Sequence, residues 1–190
     1  MAANLDWPLH QLDVKNAFLN GEVEEEVYIE VPPGFDMEAI QGKVCKLRKS
    51  LYGLKQSPRA WFERFTKCVK RLGYNQAQSD HTMFYKHSIT HKLSILVVYV
   101  DDIILTGDDI SETESLKKLL AKKFEMKDLR KFKLFLGMKV ARYNKGIIIS
   151  QRKYILDLLS ETGLLGCKPV TTPMDANVKL GRVEGKVPEY

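Results

Sequence analysis

The chain has 190 residues, 44% of them hydrophobic, and a formal net charge of +6, which supports one domain with its own core or one domain with a small appendage. No apolar run reaches the roughly 18 residues that span a bilayer, and no basic-then-apolar leader opens the chain, so no membrane partner is expected. Cys45, Cys68 and Cys167 are widely spaced with no CxxC pair, which argues against a zinc or disulfide framework and suits a reducing intracellular setting.

Residues 9–18 contain a short strand that leads into the turn signal Asn20-Gly21. Residues 27–31 alternate and are rich in branched side chains, predicting a strand that Pro32-Pro33-Gly34 ends, and residues 44–47 form another short one. Ser57 can cap the next helix and Pro58 suits its first turn. Trp61, Phe65, Cys68, Val69 and Leu72 then share one face, and Gly73 is a natural stop. That aromatic stripe reads as core rather than as ligand site.

Residues 83–85 and 93–98 predict strands, with 103–105 as the return arm of a hairpin and 106–109 as a loop. Ser111 and Glu114 form a capping box for a second helix, whose apolar face is Leu116, Leu119, Leu120 and Phe124. Residues 132–140 and 146–150 predict a further hairpin. Residues 154–165 predict a third helix with Ile155, Leu158 and Leu159 inward. The domain is expected over residues 1–168, with 169–190 an extended or poorly ordered tail. Hairpins mixed with helices, without βαβ repetition, predict an α+β fold with a mostly antiparallel sheet.

Charge is unevenly placed. Residues 43–71 carry Lys43, Lys46, Arg48, Lys49, Lys55, Arg59, Arg64, Lys67, Lys70 and Arg71 against the single acid Glu63, and a second basic stretch spans 117–145. Glu22, Glu24, Glu25 and Glu26 cluster the opposite sign. Singly, such lysines are solvated helix faces; two long basic segments around an acidic site point to a polyanion.

The acidic site is Asp101-Asp102, set between the apolar runs 95–98 and 103–105. Aspartate at a turn is ordinary turn chemistry. Adjacent carboxylates with apolar flanks repel, however, and are costly to bury unless paired or bound to a cation. Hard oxygen ligands suit Mg²⁺ or Mn²⁺. Holding two ions takes a further carboxylate, and Asp13, at the end of a short apolar strand, is the best candidate. Two ions roughly 4 Å apart can clamp an in-line phosphoryl displacement. No Ser-His-Asp, Cys-His or HExxH arrangement stands out, in keeping with chemistry that needs no protein nucleophile.

Together these segments resemble the reverse transcriptase of copia-type LTR retrotransposons, of the plant sort in particular. The resemblance is carried by Gln11-Leu12-Asp13-Val14-Lys15-Asn16-Ala17-Phe18-Leu19-Asn20-Gly21, Val27-Tyr28-Ile29 with Pro32-Pro33-Gly34-Phe35, and Leu51-Tyr52-Gly53-Leu54-Lys55-Gln56-Ser57-Pro58-Arg59-Ala60-Trp61. Tyr99-Val100-Asp101-Asp102, Phe135-Leu136-Gly137-Met138 and Thr172-Pro173-Met174 complete it, over roughly residues 2 to 180.

The resemblance implies a polymerase palm with partial fingers and the start of a thumb. It implies an RNA-directed DNA polymerase that joins dNTPs to a primer on an RNA or DNA template, with two Mg²⁺ or Mn²⁺ ions on Asp13, Asp101 and Asp102 and the Val14 carbonyl beside them. Phe18 falls at the steric gate beneath the sugar; its plainer reading is a core aromatic. Tyr52, Gly53, Lys55 and Gln56 fall beside the nucleotide. Ser57, Pro58, Arg59 and Tyr99 fall by template and primer. Phe135, Leu136, Gly137 and Met138 resemble the primer grip, and Lys127 a neutraliser of the leaving pyrophosphate. The family acts inside the cell, in virus-like particles, as part of a polyprotein.

In the family, finger strands precede the motif around Asp13, so the chain is expected to be a fragment. Two functions stay open: the polymerase itself, or a catalytically inactive remnant that still binds nucleic acid. A nucleotide cyclase would carry a Gly-Gly-rich metal turn in place of Tyr99-Val100-Asp101-Asp102, and Phe18 and the Ser57-Pro58 helix start also argue against it.

Overall fold

The computed structural model describes residues 1–34, 42–143 and 146–170, and Lys131 by its backbone alone. In chain order the elements are β1 (Leu9–Val14), a 3₁₀ turn (Ala17–Asn20), β2 (Tyr28–Ile29), β3 (Cys45–Lys46), α1 (Ser57–Arg71), β4 (Asn75–Gln76), β5 (Met83–His87), β6 (Leu93–Tyr99) and β7 (Asp102–Gly107). There follow α2 (Ile110–Lys123), β8 (Met126–Lys131), β9 (Leu134–Phe135), β10 (Met138–Tyr143), β11 (Gly146–Ser150) and α3 (Arg152–Glu161). The chain divides into two units, Met1–Ser150 and Gln151–Tyr190.

The first unit is built on a six-stranded antiparallel sheet of order β4-β5-β6-β7-β1-β8. Strand alternation gives it one apolar face: Leu12 pairs with Ile103, Leu96 with both Leu105 and Phe84, and all five are buried. Against that face pack Trp61, Phe65, Cys68 and Val69 of α1, with Leu116 and Leu120 of α2 and Phe124 just beyond it, in one core cluster. Burying each large side chain contributes about 2–3 kcal/mol, so this core fixes the sheet and with it whatever the other face carries. The predicted mixture of helices with a large antiparallel sheet is what the chain forms. Among the described residues no helix is long and apolar enough to cross a membrane.

Several local expectations are corrected. Ser57 does not cap α1: the cap position is Gln56, without a side-chain bond, and the Ser57 hydroxyl donates to the Leu51 carbonyl at 2.6 Å. The cap of α2 is Asp109 rather than Ser111, its carboxylate accepting from the Glu112 amide at 3.0 Å. Thr106 and Gly107 belong to β7 rather than to a loop; a side chain at Gly107 would stand 2.1 Å from the Leu93 carbonyl, so glycine lets the strands close there. Leu119 is exposed on the solvent side of α2. β8, rich in charge, is an edge strand that periodicity does not reveal. The hairpin predicted over residues 132–150 is a three-stranded sheet, β11-β10-β9. Helix α3 forms within the second unit, over Arg152–Glu161. Phe35 and Thr172-Pro173-Met174, with the tail from residue 171, lie outside the described residues.

Candidate functional site

Tyr99 pairs with Asp102, so only Val100 and Asp101 join β6 to β7. Val100 has φ 51° while Asp101 is not among the positive-φ residues, the pattern of a type II′ connection, whose first central position favours glycine. A branched residue there is strained by roughly 1–3 kcal/mol. Two hydrogen bonds hold the turn: Trp61 Nε1 donates to the Val100 carbonyl at 2.6 Å, and the Val14 amide donates to the Asp101 carbonyl at 2.8 Å.

β1 runs beside β7 in a register that sets Asp13 opposite Asp102. The neighbouring pair, Leu12 and Ile103, faces the core, so Asp13 and Asp102 lie on the other face. On its far side Asp13 is opposite Lys127 of β8. Tyr99, Asp102, Asp13 and Lys127 thus form a row across four strands, with Asp101 at the adjoining turn.

The electrostatics tie the three aspartates together. Burial raises the Asp102 carboxyl above its ordinary value; a hydrogen bond from Gln11 opposes this, and the charges of Asp101 and Asp13 raise it again. Gln11 is buried and its Nε2 donates to Asp102 Oδ1 at 2.8 Å. Tyr52 belongs to the same neighbourhood. Its phenol is raised first by burial, then by Asp101, and also by Asp13, while a hydrogen bond with the Ala17 backbone lowers it.

Among the described residues, no three His, Cys, Asp or Glu side chains are gathered into a ready ligand set. The donor chemistry nonetheless fits a divalent cation. Asp13 and Asp101 are hard oxygen donors without a side-chain hydrogen bond or ion pair among the described residues, and the upward push on Asp102, from burial first and then from the charges of Asp101 and Asp13, is one that a cation would relieve.

The other predicted residues are distributed around this centre. Phe18, in the 3₁₀ turn, is partly buried against the core and stacks on Tyr52 with ring centroids 4.4 Å apart; its carbonyl accepts from the Ser50 hydroxyl. Gly53 takes φ 91° in the loop before α1. Lys55, Pro58 and Arg59 are exposed, Gln56 is half-buried, and Arg59 is held by Glu63 at 2.9 Å. Among the described residues no hydrogen bond or ion pair links Lys55 or Arg59 to the aspartates. Leu136 (φ 48°) and Gly137 (φ 75°) join Phe135 to Met138 as a two-residue type I′ loop. Phe135 meets Tyr99 edge-on, with centroids 6.1 Å apart, which brings this loop to the row of carboxylates. Part of the basic stretch is already neutralised: Arg64 pairs with Glu22 and Lys46 with Glu26, both from the acidic cluster.

The sequence reading missed two contributors, Gln11 and the N–H of Trp61. Gln11 stands two residues before Asp13 on a strand, a spacing that puts both on one face. No comparable signal marks the indole. Lys127 is matched to the pyrophosphate by resemblance alone; its place opposite Asp13 follows from the register of β8.

A large antiparallel sheet backed by helices, with carboxylates collected at one hairpin, is the architecture of a polymerase-like domain. Residues 1–176 match the reverse transcriptase (RNA-dependent DNA polymerase) family, and the chain belongs to that family. It is 41% identical, over 97% of its length, to the retrovirus-related Pol polyprotein from transposon RE1 of Arabidopsis thaliana, of which it covers 13%. It is 42% identical over 96% to the corresponding polyprotein from transposon TNT 1-94 of Nicotiana tabacum, covering 14% of it. The RE2 polyprotein of Arabidopsis thaliana is 40% identical over 100% of the chain, which covers 13% of it. The copia-type, plant-like resemblance therefore holds, and the chain spans about one seventh of these relatives.

Proposed function

We propose that this chain carries the polymerising site of an RNA-directed DNA polymerase, which transfers a nucleotide from a dNTP to the 3′-hydroxyl of a primer on an RNA or DNA template. The observation that supports this most directly is the register that sets Asp13 opposite Asp102 beside the Asp101 turn. In this reading the six-stranded sheet with α1 and α2 is the palm, β2 and β3 belong to the fingers, and the β9–β10 turn is the primer grip.

Asp13, Asp101 and Asp102 supply the carboxylate oxygens, joined by the Val14 carbonyl. Two divalent cations held there would activate the attacking oxygen and neutralise charge on the leaving pyrophosphate. Gln11 keeps one Asp102 oxygen directed into the sheet, leaving the second free to bind. The Phe18–Tyr52 stack forms a wall where the sugar sits, so that a 2′-hydroxyl clashes. Gly53, Lys55 and Gln56 border the nucleotide. Pro58 and Arg59 border the template, where Arg59 must leave Glu63 to touch a phosphate, and Ser57, fully buried with its hydroxyl on the Leu51 carbonyl, acts there only by fixing the helix start. Tyr99 and Phe135, with Leu136, Gly137 and Met138, support the primer end, and Lys127 balances charge beside Asp13.

The test is primer extension on a homopolymer template with the full chain and its Asp101→Asn variant. Product from the wild type alone supports the reading. Salt-dependent binding of primer-template without product from the wild type would favour a nucleic-acid-binding remnant instead.

A further inference from the structure

Trp61 is a core aromatic with a polar end, and that end meets the backbone of the turn that carries Asp101. The ring is locked in place: it is 1% exposed, with Phe65 centred 5.4 Å away and Phe124 5.2 Å away. The Ser57–Leu51 bond fixes the start of the helix that bears it. A buried indole N–H takes an acceptor, and this one takes the Val100 carbonyl at 2.6 Å.

The acceptor's position in the turn matters. The Val100 carbonyl belongs to the peptide between the two central residues, and type I′ and II′ turns differ by a flip of that peptide. The Val14 bond to the Asp101 carbonyl lies outside the central peptide and does not select between the two. Strained turns persist where the surroundings over-determine them, and Val100, at φ 51°, is such a residue.

We infer that Trp61 is a positioning residue: its indole N–H holds the Val100–Asp101 peptide in one flip state and so aims the Asp101 carboxylate. The inference rests on the reading of Asp101 as a cation ligand. Trp61 touches neither substrate nor ion and acts only through the turn.

Trp61→Phe keeps an aromatic ring in the core and removes the donor. In the full chain, Mn²⁺ affinity read by water-proton relaxation should fall about tenfold to a hundredfold, the range for losing a group that orients a metal ligand, while the far-UV circular dichroism stays that of the wild type. Val100→Gly removes the strain, so Trp61→Phe should weaken Mn²⁺ binding less in that background. Wild-type affinity in the Trp61→Phe chain overturns the inference, as does an equal loss in both backgrounds. Should Trp61→Phe fail to fold, the wild-type chain decides: the Trp61 indole proton should exchange slowly and its resonance should shift on adding Mg²⁺, with Trp7 as the comparison. Fast exchange or an unmoved resonance overturns the inference. Asp101→Asn separates the two layers. If it still binds Mn²⁺, the cation reading of the turn fails; if it loses Mn²⁺ while Trp61→Phe keeps it, only the positioning role fails.

Discussion

Replacing Asp102 by asparagine should make the metal-free protein more stable. Asp102 pairs across the sheet with Asp13 and adjoins Asp101. Opposed residues on antiparallel strands lie about 5 Å apart, where two unit charges repel by about 3 kcal/mol at an effective dielectric of ~20 and by about 1 kcal/mol in water. The Asp102 side chain is half-exposed, so screening favours the lower figure. Asparagine keeps an oxygen that can accept from Gln11, so that bond survives. A gain of about 1 kcal/mol corresponds to a rise of about 2–4 °C in melting temperature for a chain of this size. The sign agrees with linkage. The Asp102 carboxyl is raised in the fold above 3.8, so its contribution to stability is present below 3.8 and is lost as pH rises through the folded value. The gap between variant and wild type should therefore be open at neutral pH and close on acidification towards 3.8. Thermal melts across that range, with a chelator present, measure it. Millimolar Mg²⁺ should raise the wild-type midpoint and leave Asp102→Asn unmoved. A variant that melts at or below the wild type in chelator, or a gap that persists in acid, would refute the charge-repulsion argument.

Three further outcomes follow from the same geometry. Ser57→Ala should cost about 1 kcal/mol in chemical denaturation, because it removes one of two hydrogen bonds on the Leu51 carbonyl, which keeps the Leu54 amide at 3.4 Å, while the helix content of α1 is unchanged, since Ser57 is not its cap. Gly107→Ala should destabilise by roughly 3–5 kcal/mol, read as a lower urea midpoint, because the new methyl group meets the Leu93 carbonyl at 2.1 Å on a backbone of φ 146°. His10 is lowered below 6.5 by burial first and then by Lys117, so stability should fall as pH drops below 6.5, and His10→Asn should flatten that part of the melting profile.

The parts of the fold that are legible in the sequence are those whose side chains carry an apolar signal. Helix α1 announces itself by one apolar face at helical spacing, and β6 and β7 by the uninterrupted apolar runs 95–98 and 103–105. β8 does not: Met126, Lys127, Asp128, Leu129, Arg130 and Lys131 look like a solvated segment, and the strand exists because its backbone pairs with β1. Charge on such an edge also deters further pairing. The cap of α2 was misplaced because Asp109 and Ser111 are both good caps, and sequence alone gives no reason to prefer the earlier one. The helix signal in α3 is real: Ile155, Leu158 and Leu159 recur at helical spacing, and the helix forms over Arg152–Glu161. Within the site, adjacent carboxylates between apolar strands were legible as chemistry. Gln11 was not, because a single amide among apolar residues has many structural explanations until its partner is known.

The arrangement around Asp101 explains how a fold tolerates this site at all. Asp13 has Lys127 across the strand and Asp102 has the Gln11 amide, but no hydrogen bond or ion pair among the described residues compensates Asp101. Its turn is instead fixed through the backbone, by Trp61 on one carbonyl and Val14 on the next. Both donors belong to the core: Val14 and Trp61 are fully buried beside Phe65 and Phe124. Packing behind the sheet thus offsets strain and repulsion on its other face. A carboxylate set in place beforehand needs little reorganisation when a cation arrives, which is the condition under which fixed charges contribute most to catalysis. A substitution that loosens the core behind Trp61 should therefore lower cation affinity before it unfolds the chain, whereas one that removes a carboxylate should lower affinity while raising stability. Opposite signs for the two classes, measured on the same protein, are what separate a held functional turn from an ordinary strained one.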